Sequence, residues 1–73
     1  GLMWDVNYFD VQMSAEQVNS AFGDASVILP EGVERPAHWP DWALPLFGEN
    51  GVTTVWRKWQ ADPVGYTPPP APE

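Results

Sequence analysis

Few side chains in this sequence could carry chemistry of their own. There is one histidine, His38, with Asp41 three residues on, and there is no cysteine. A carboxylate beside an imidazole can fix its tautomer and raise its basicity, which is what general-base work requires. The rest of such a site is missing. No second histidine could share a zinc ion, no thiolate is available, and no serine sits in a G-x-S-x-G elbow. Gly48 and Gly51 lie in turn sequence ahead of an expected strand, whereas a phosphate loop precedes a helix. His38 is therefore expected as a loop side chain packed beside Trp39 and Trp42. The chain is expected to be a non-enzyme without metal, cofactor or small-molecule substrate.

Aromatic residues carry the stronger signal. Five tryptophans, two tyrosines and three phenylalanines occur in 73 residues. Each large ring can bury roughly 150–250 Å², more in total than so small a core easily encloses, so some rings are expected at the surface. Trp39 and Trp42 lie in a proline-rich stretch, while Trp56 and Trp59 flank Arg57 and Lys58, two of the three basic residues. Trp and Arg are the types most enriched where binding energy concentrates. On a strand, Trp56 and Trp59 would point to opposite faces, leaving one free for a partner. Tyr66 then leads into Pro68, Pro69 and Pro70, and Pro69 to Pro72 gives a P-x-x-P spacing. Such segments favour polyproline II and dock on aromatic grooves. No flanking base fixes an orientation, so a semi-rigid extension laid along a neighbouring subunit is the expectation. The partner-binding set is thus Trp39, Trp42, Trp56, Arg57, Lys58, Trp59, Tyr66, Pro68, Pro69 and Pro70.

The elements that would position these residues follow from pattern and turn chemistry. Residues 2–11 alternate, with Leu2, Trp4, Val6 and Tyr8 on one face and Met3, Asp5 and Asn7 on the other, the pattern of a half-buried strand. Phe9 and Val11 break that pattern by placing apolar groups on the opposite face. Ser14 and Gln17 can form a capping box, Met13 and Val18 a hydrophobic staple, and Val18, Ala21 and Phe22 one buried face, which predicts a two-turn helix over 15–22 with Gly23 as the left-handed residue past its end. Residues 25–29 (ASVIL) predict a short buried strand, and its pairing with the first could be parallel or antiparallel. Residues 30–45 hold four prolines and predict an ordered loop, with Pro40 able to open a single helical turn. Asn50-Gly51 predicts a hairpin into a strand over 51–60. The expected fold is α+β: a small sheet of three or four short strands with one short helix packed on it, an ordered Trp/Pro-rich loop and an extended C-terminal tail. Residues 1–63 form the single domain and 64–73 the tail.

Composition narrows the function class. Ten acids against three bases give a formal charge of −7, which repels phosphate backbones and anionic membranes, so neither nucleic acid nor membrane is expected as partner. No apolar run approaches the roughly 20 residues needed to cross a bilayer, and no basic region followed by an apolar segment marks a signal peptide. A soluble chain is expected, its compartment left open. A chain of this length buries only about 60% of its unfolded surface, and without disulfide or metal it gains from association. The leading expectation is a non-enzymatic protein–protein interaction or structural accessory subunit of a larger, homo-oligomeric or multi-subunit assembly, in specific form a viral or phage particle component of decoration or tail-accessory type, located in the virion. The alternative is an acidic inhibitor that blocks a nucleic-acid-binding enzyme by phosphate mimicry. Against that alternative, the acids stand singly along the sequence with no two adjacent.

Overall fold

The computed structural model describes residues 1–72; Glu73, the last residue of the expected tail, lies outside them. Among the described residues there are two helices, α1 (Ala15–Asn19) and α2 (Val52–Ala61), and no sheet. The expected sheet of three or four strands is therefore corrected to a turn-rich chain with two isolated parallel bridges, Leu2 with Phe22 and Asn7 with Ile28.

The bridges show why no ladder forms. Met3 N–H donates to Phe22 O at 2.7 Å and Phe22 N–H to Gly1 O at 2.9 Å, while Tyr8 N–H donates to Ile28 O at 2.7 Å and Ile28 N–H to Val6 O at 2.9 Å. Five residues separate Leu2 from Asn7, but six separate Phe22 from Ile28, so the two segments cannot stay in register between the bridges. The extra residue is absorbed in a turn in which Val27 N–H donates to Asp24 O and Ser26 N–H to Asp24 Oδ1. Opposite this turn Asp5 takes a left-handed φ of 49° and its N–H donates to Ser26 Oγ at 2.7 Å, a side chain replacing the backbone partner a strand would supply. The alternation seen in the sequence survives in part without the sheet: Leu2, Trp4, Val6 and Tyr8 are half-buried and Asp5 and Asn7 are exposed, but Met3, expected with the latter two, is half-buried against the first core cluster.

α1 starts as its sequence dictates. Gln17 N–H donates to Ser14 Oγ at 3.1 Å and Ser14 N–H to Gln17 Oε1 at 2.9 Å, the complete capping box. The helix is shorter than the expected 15–22, ending at Asn19 with Ser20 capping it in αR conformation. Gly23 takes no left-handed φ. Its missing side chain serves packing instead, since a Cβ there would stand 2.8 Å from the Trp39 ring.

The largest correction falls on residues 51–60. The β-branched residues Val52, Thr53, Thr54 and Val55 favour a strand by propensity, yet Val52, Val55, Trp56 and Trp59 stand at i, i+3, i+4 and i+7, the stripe of one helical face. Burial of that stripe outweighs a propensity difference of tenths of a kcal/mol per residue. The expected hairpin at Asn50-Gly51 is accordingly a helix start. Gly51 N–H donates to Gly48 O and Val52 N–H to Pro45 O, so backbone carbonyls satisfy donors at a terminus whose cap has no side chain. A Cβ on Gly51 would meet the Phe47 carbonyl carbon at 2.9 Å, which reserves the position for glycine. α2 ends at Ala61, its C-cap Asp62 leaving helical conformation (φ −154°, ψ 77°) just ahead of Pro63.

Residues 30–45 contain neither helix nor strand, including the single helical turn expected at Pro40. They nonetheless supply buried residues to both halves of the core. Val18, Ala21, Val27 and Trp39 form one cluster, with Met3, Val6, Tyr8, Met13, Leu29 and Val33 around it. Phe22, Leu44, Val52 and Val55 form the other, ringed by Leu2, Trp4, Trp42, Trp56, Trp59 and Tyr66.

Candidate functional site

The residues expected to bind partners are gathered largely on one side of the molecule, where α2, residues 30–45 and the proline segment meet. α2 ends in a turn that redirects the chain: Gly65 N–H donates to Asp62 Oδ1 at 3.0 Å and Tyr66 N–H to Asp62 O at 2.9 Å. Tyr66 then lies edge-on to Phe22, ring centroids 6.2 Å apart, within the aromatic cluster. Three residues further, Trp42 Nε1–H donates to Pro69 O at 2.9 Å. The proline segment expected along another subunit is thus laid against its own domain.

Two depressions flank that segment. One, of about 320 Å³, is lined by Asn50, Val55, Lys58, Asp62, Tyr66 and Pro69, among others. The second, of about 480 Å³, is lined by Arg35, Pro36, Ala37, Trp39 and Asp41 on one side and by Pro68, Pro69 and Pro70 on the other. Pro69 lines both, so the segment runs between them.

The tryptophans are distributed differently from the strand expectation. Trp39 is only 3% exposed, with its Nε1–H donating to Ala21 O at 3.0 Å and the Arg35 guanidinium 5.8 Å above its ring. It is a core residue. Trp56 and Trp59 do not point to opposite faces. Helical spacing puts both on one side of α2, half-buried against the same cluster. Trp59 stacks on His38 at 4.5 Å with the planes 7° apart, and stands 5.8 Å from Phe22. Arg57 and Lys58 are exposed.

His38 makes no pair with Asp41. Its Nε2–H donates to Ala21 O at 2.7 Å, and its ring meets Trp39 edge-on and lies flat on Trp59. Ala21 O therefore accepts two ring donors, fixing the 38–39 corner to the end of the first helical segment. No group of three His, Cys, Asp or Glu placed to hold a metal ion occurs among the described residues, and no helix there is long and apolar enough to cross a membrane.

Two polar atoms of the aromatic side are buried without hydrogen-bond partners, Trp56 Nε1 and the Tyr66 hydroxyl. Desolvation pushes the Tyr66 phenol up to about 12 from its ordinary 10.0. By contrast the buried Asp24 is fully engaged. Its Oδ1 accepts from Ser26 N–H at 2.8 Å and from the Ser26 hydroxyl, its Oδ2 accepts from Leu44 N–H at 2.6 Å, and its carbonyl accepts from Arg35 Nη1. Arg35 Nη2 also donates to Val27 O at 3.1 Å. Nothing in the sequence distinguished Asp24 from the other singly placed acids.

Sequence reasoning also passed over the apolar side chains that the fold leaves outside. Phe9 is 61% exposed, Ile28 50% and Phe47 82%, with Val11 and Leu46 exposed as well. For Phe9 and Val11 a signal existed, since both broke the alternation of residues 2–8. Ile28 and Phe47 carried none. Comparison of the chain with protein-family models, with curated proteins and with solved structures finds no match.

Proposed function

We propose that this chain is a non-enzymatic protein-interaction subunit of a larger assembly, and that its contact is made by the end of the molecule carrying Phe9, Val11 and Ile28. The carrying observation is the exposure of these side chains on a segment whose own charged side chains are all acidic. Ile28 is bridged to Asn7, and Val11 N–H donates to Tyr8 O, closing a turn that holds Phe9 two residues beyond the bridge. Residues 1–34 hold six acids and no base; Asp24 is buried, and the remaining five are exposed. Exposed apolar side chains on a predominantly acidic segment suit a protein surface with an apolar pocket and basic surroundings, the charge steering encounter and the apolar groups supplying affinity. A viral or phage particle is the form of assembly we propose, on the grounds of size and composition.

Phe9→Ser/Ile28→Ser tests the reading, compared with the parent chain by cross-linking in its native setting and size-exclusion chromatography. The expected result is a stoichiometric partner held by the parent, retained through high salt, and lost by the double variant with an unchanged melt. Equal recovery by both chains, with loss on raising the salt alone, would point instead to the acidic phosphate mimic.

A further inference from the structure

The contact between Trp42 and the proline segment is a recognition geometry as well as a packing contact. An indole N–H donating to the carbonyl of a proline in a proline-rich run is a contact by which aromatic side chains hold polyproline II ligands in domains that bind them. Here Trp42 Nε1–H meets Pro69 O at 2.9 Å, and Pro68, Pro69 and Pro70 form one wall of the depression whose other wall is Arg35, Pro36, Ala37, Trp39 and Asp41. We propose that the surface at Trp42, together with the depressions on either side of it, is a binding site for proline-rich peptide segments of a partner protein, and that residues 67–72 are a resident ligand lying on it in cis and setting a threshold for entry.

The attachment of the segment supports displacement. Between Tyr66, anchored in the aromatic cluster, and the end of the described chain, the one side-chain hydrogen bond to the segment is that from Trp42. Thr67 and Pro70 are exposed, and residues 66–72 form no helix or strand. A polyproline run satisfies no backbone partners of its own, so it leaves without breaking secondary structure. Open volume flanks the segment on both sides, beside Lys58 and Asp62 and beside Arg35 and Asp41. A segment whose side chains enter those volumes can therefore make contacts that the resident one does not.

The identity of the competitor follows from effective concentration. A segment tethered by a few residues faces its site at an effective concentration on the order of millimolar. The same segment from a second copy, at micromolar concentration, is outcompeted by about a thousandfold, so exchange of tails between copies is disfavoured. A heterologous proline-rich segment that fills the flanking volumes is the occupant able to enter.

The test uses the full-length chain and the peptide TPPPAP, residues 67–72, blocked at both ends, as probe. Pro68→Gly/Pro69→Gly/Pro70→Gly keeps the length and Trp42 but removes the polyproline preference. The peptide is expected to bind this variant at least about tenfold more tightly than the parent, shifting the Trp42 indole N–H resonance, and Trp42→Phe in the variant background is expected to abolish the gain. In the parent, excess peptide is expected to move the tail resonances toward those of a free tail. Equal affinity for both chains, or no binding to either, would overturn the proposal. So would an unfolded triple variant, which would make the segment part of the core, or a concentration-dependent dimer of the parent that the triple variant cannot form, which would show exchange between copies. None of these outcomes depends on Phe9 or Ile28, so failure here leaves the proposed function standing.

Discussion

The two halves of the core are equally dry at their centres and are held by different physics. Around Val18, Ala21, Val27 and Trp39 the packing is reinforced by hydrogen-bonded polar groups: the bridge at Ile28, the double acceptance by Ala21 O, and the bonds from Ser26 to the Asp24 carboxylate. Around Phe22, Leu44, Val52 and Val55 more of the stabilisation comes from half-buried rings; Trp4 and Trp42 donate to Leu44 O and Pro69 O, but Trp56 and Tyr66 carry polar atoms without partners. Adjacent residues Ala21 and Phe22 belong to different halves, and Asp24, bonding both Ser26 and Leu44, stitches the seam. A directional network specifies one arrangement, because each unmet buried donor costs about 1–3 kcal/mol. Ring packing tolerates rearrangement, because contact area can be kept while geometry changes. The proline segment is anchored on the tolerant side, through Tyr66 and Trp42.

The contrast can be broken most severely at Phe22. Its ring touches those of His38, Trp59 and Tyr66 while its backbone bridges to the first segment. Phe22→Ala should cost about 3–5 kcal/mol, much of the stability of a domain this small. Circular dichroism should show a largely unfolded chain; a melt within a few degrees of the parent would mean that the halves are independent. Next comes the seam. Asp24→Ala strips the acceptors from Ser26 and Leu44 N–H and should cost about 2–4 kcal/mol, read as a lowered urea midpoint.

Substitutions on the ring side should cost less and resemble one another. Trp56→Ala and Trp59→Ala each remove a half-buried ring from the same face of α2 and should each cost about 1–3 kcal/mol in thermal melts. If one unfolds the chain and the other is silent, the ring side is more specific than argued. The smallest effect is expected at Tyr66. Tyr66→Phe removes a buried hydroxyl without a partner and should change stability by less than about 1 kcal/mol near pH 7.

Tyr66 has a second signature in pH. The unfolded chain releases the phenol proton near 10.0, the folded chain only near about 12. Between those values the unfolded state binds fewer protons, so the contribution of Tyr66, fully present below pH 10, is lost as the pH rises toward about 12. Tyr66→Phe should flatten that limb of the stability curve, and an unchanged limb would place the hydroxyl in water.

What could be read directly from the residues was local. Ser14 and Gln17 determine the start of α1 because the capping box closes within four residues and needs no tertiary partner. The half-buried face of Leu2, Trp4, Val6 and Tyr8 was legible because alternation reflects burial whether or not a ladder forms. The type of the 51–60 element was misjudged when β-branched propensity was weighed above the spacing of Val52, Val55, Trp56 and Trp59, although that spacing was present in the sequence. Other features exist only in three dimensions. The absence of a sheet follows from one residue of mismatch between two segments brought side by side. Gly23 is needed because Trp39, sixteen positions away, lies against it. Trp42 meets Pro69 across 27 positions of chain, and Asp24 reaches Leu44 across 20. Contacts of that separation depend on where the chain returns after its loops close, and no pattern in neighbouring residues encodes that return.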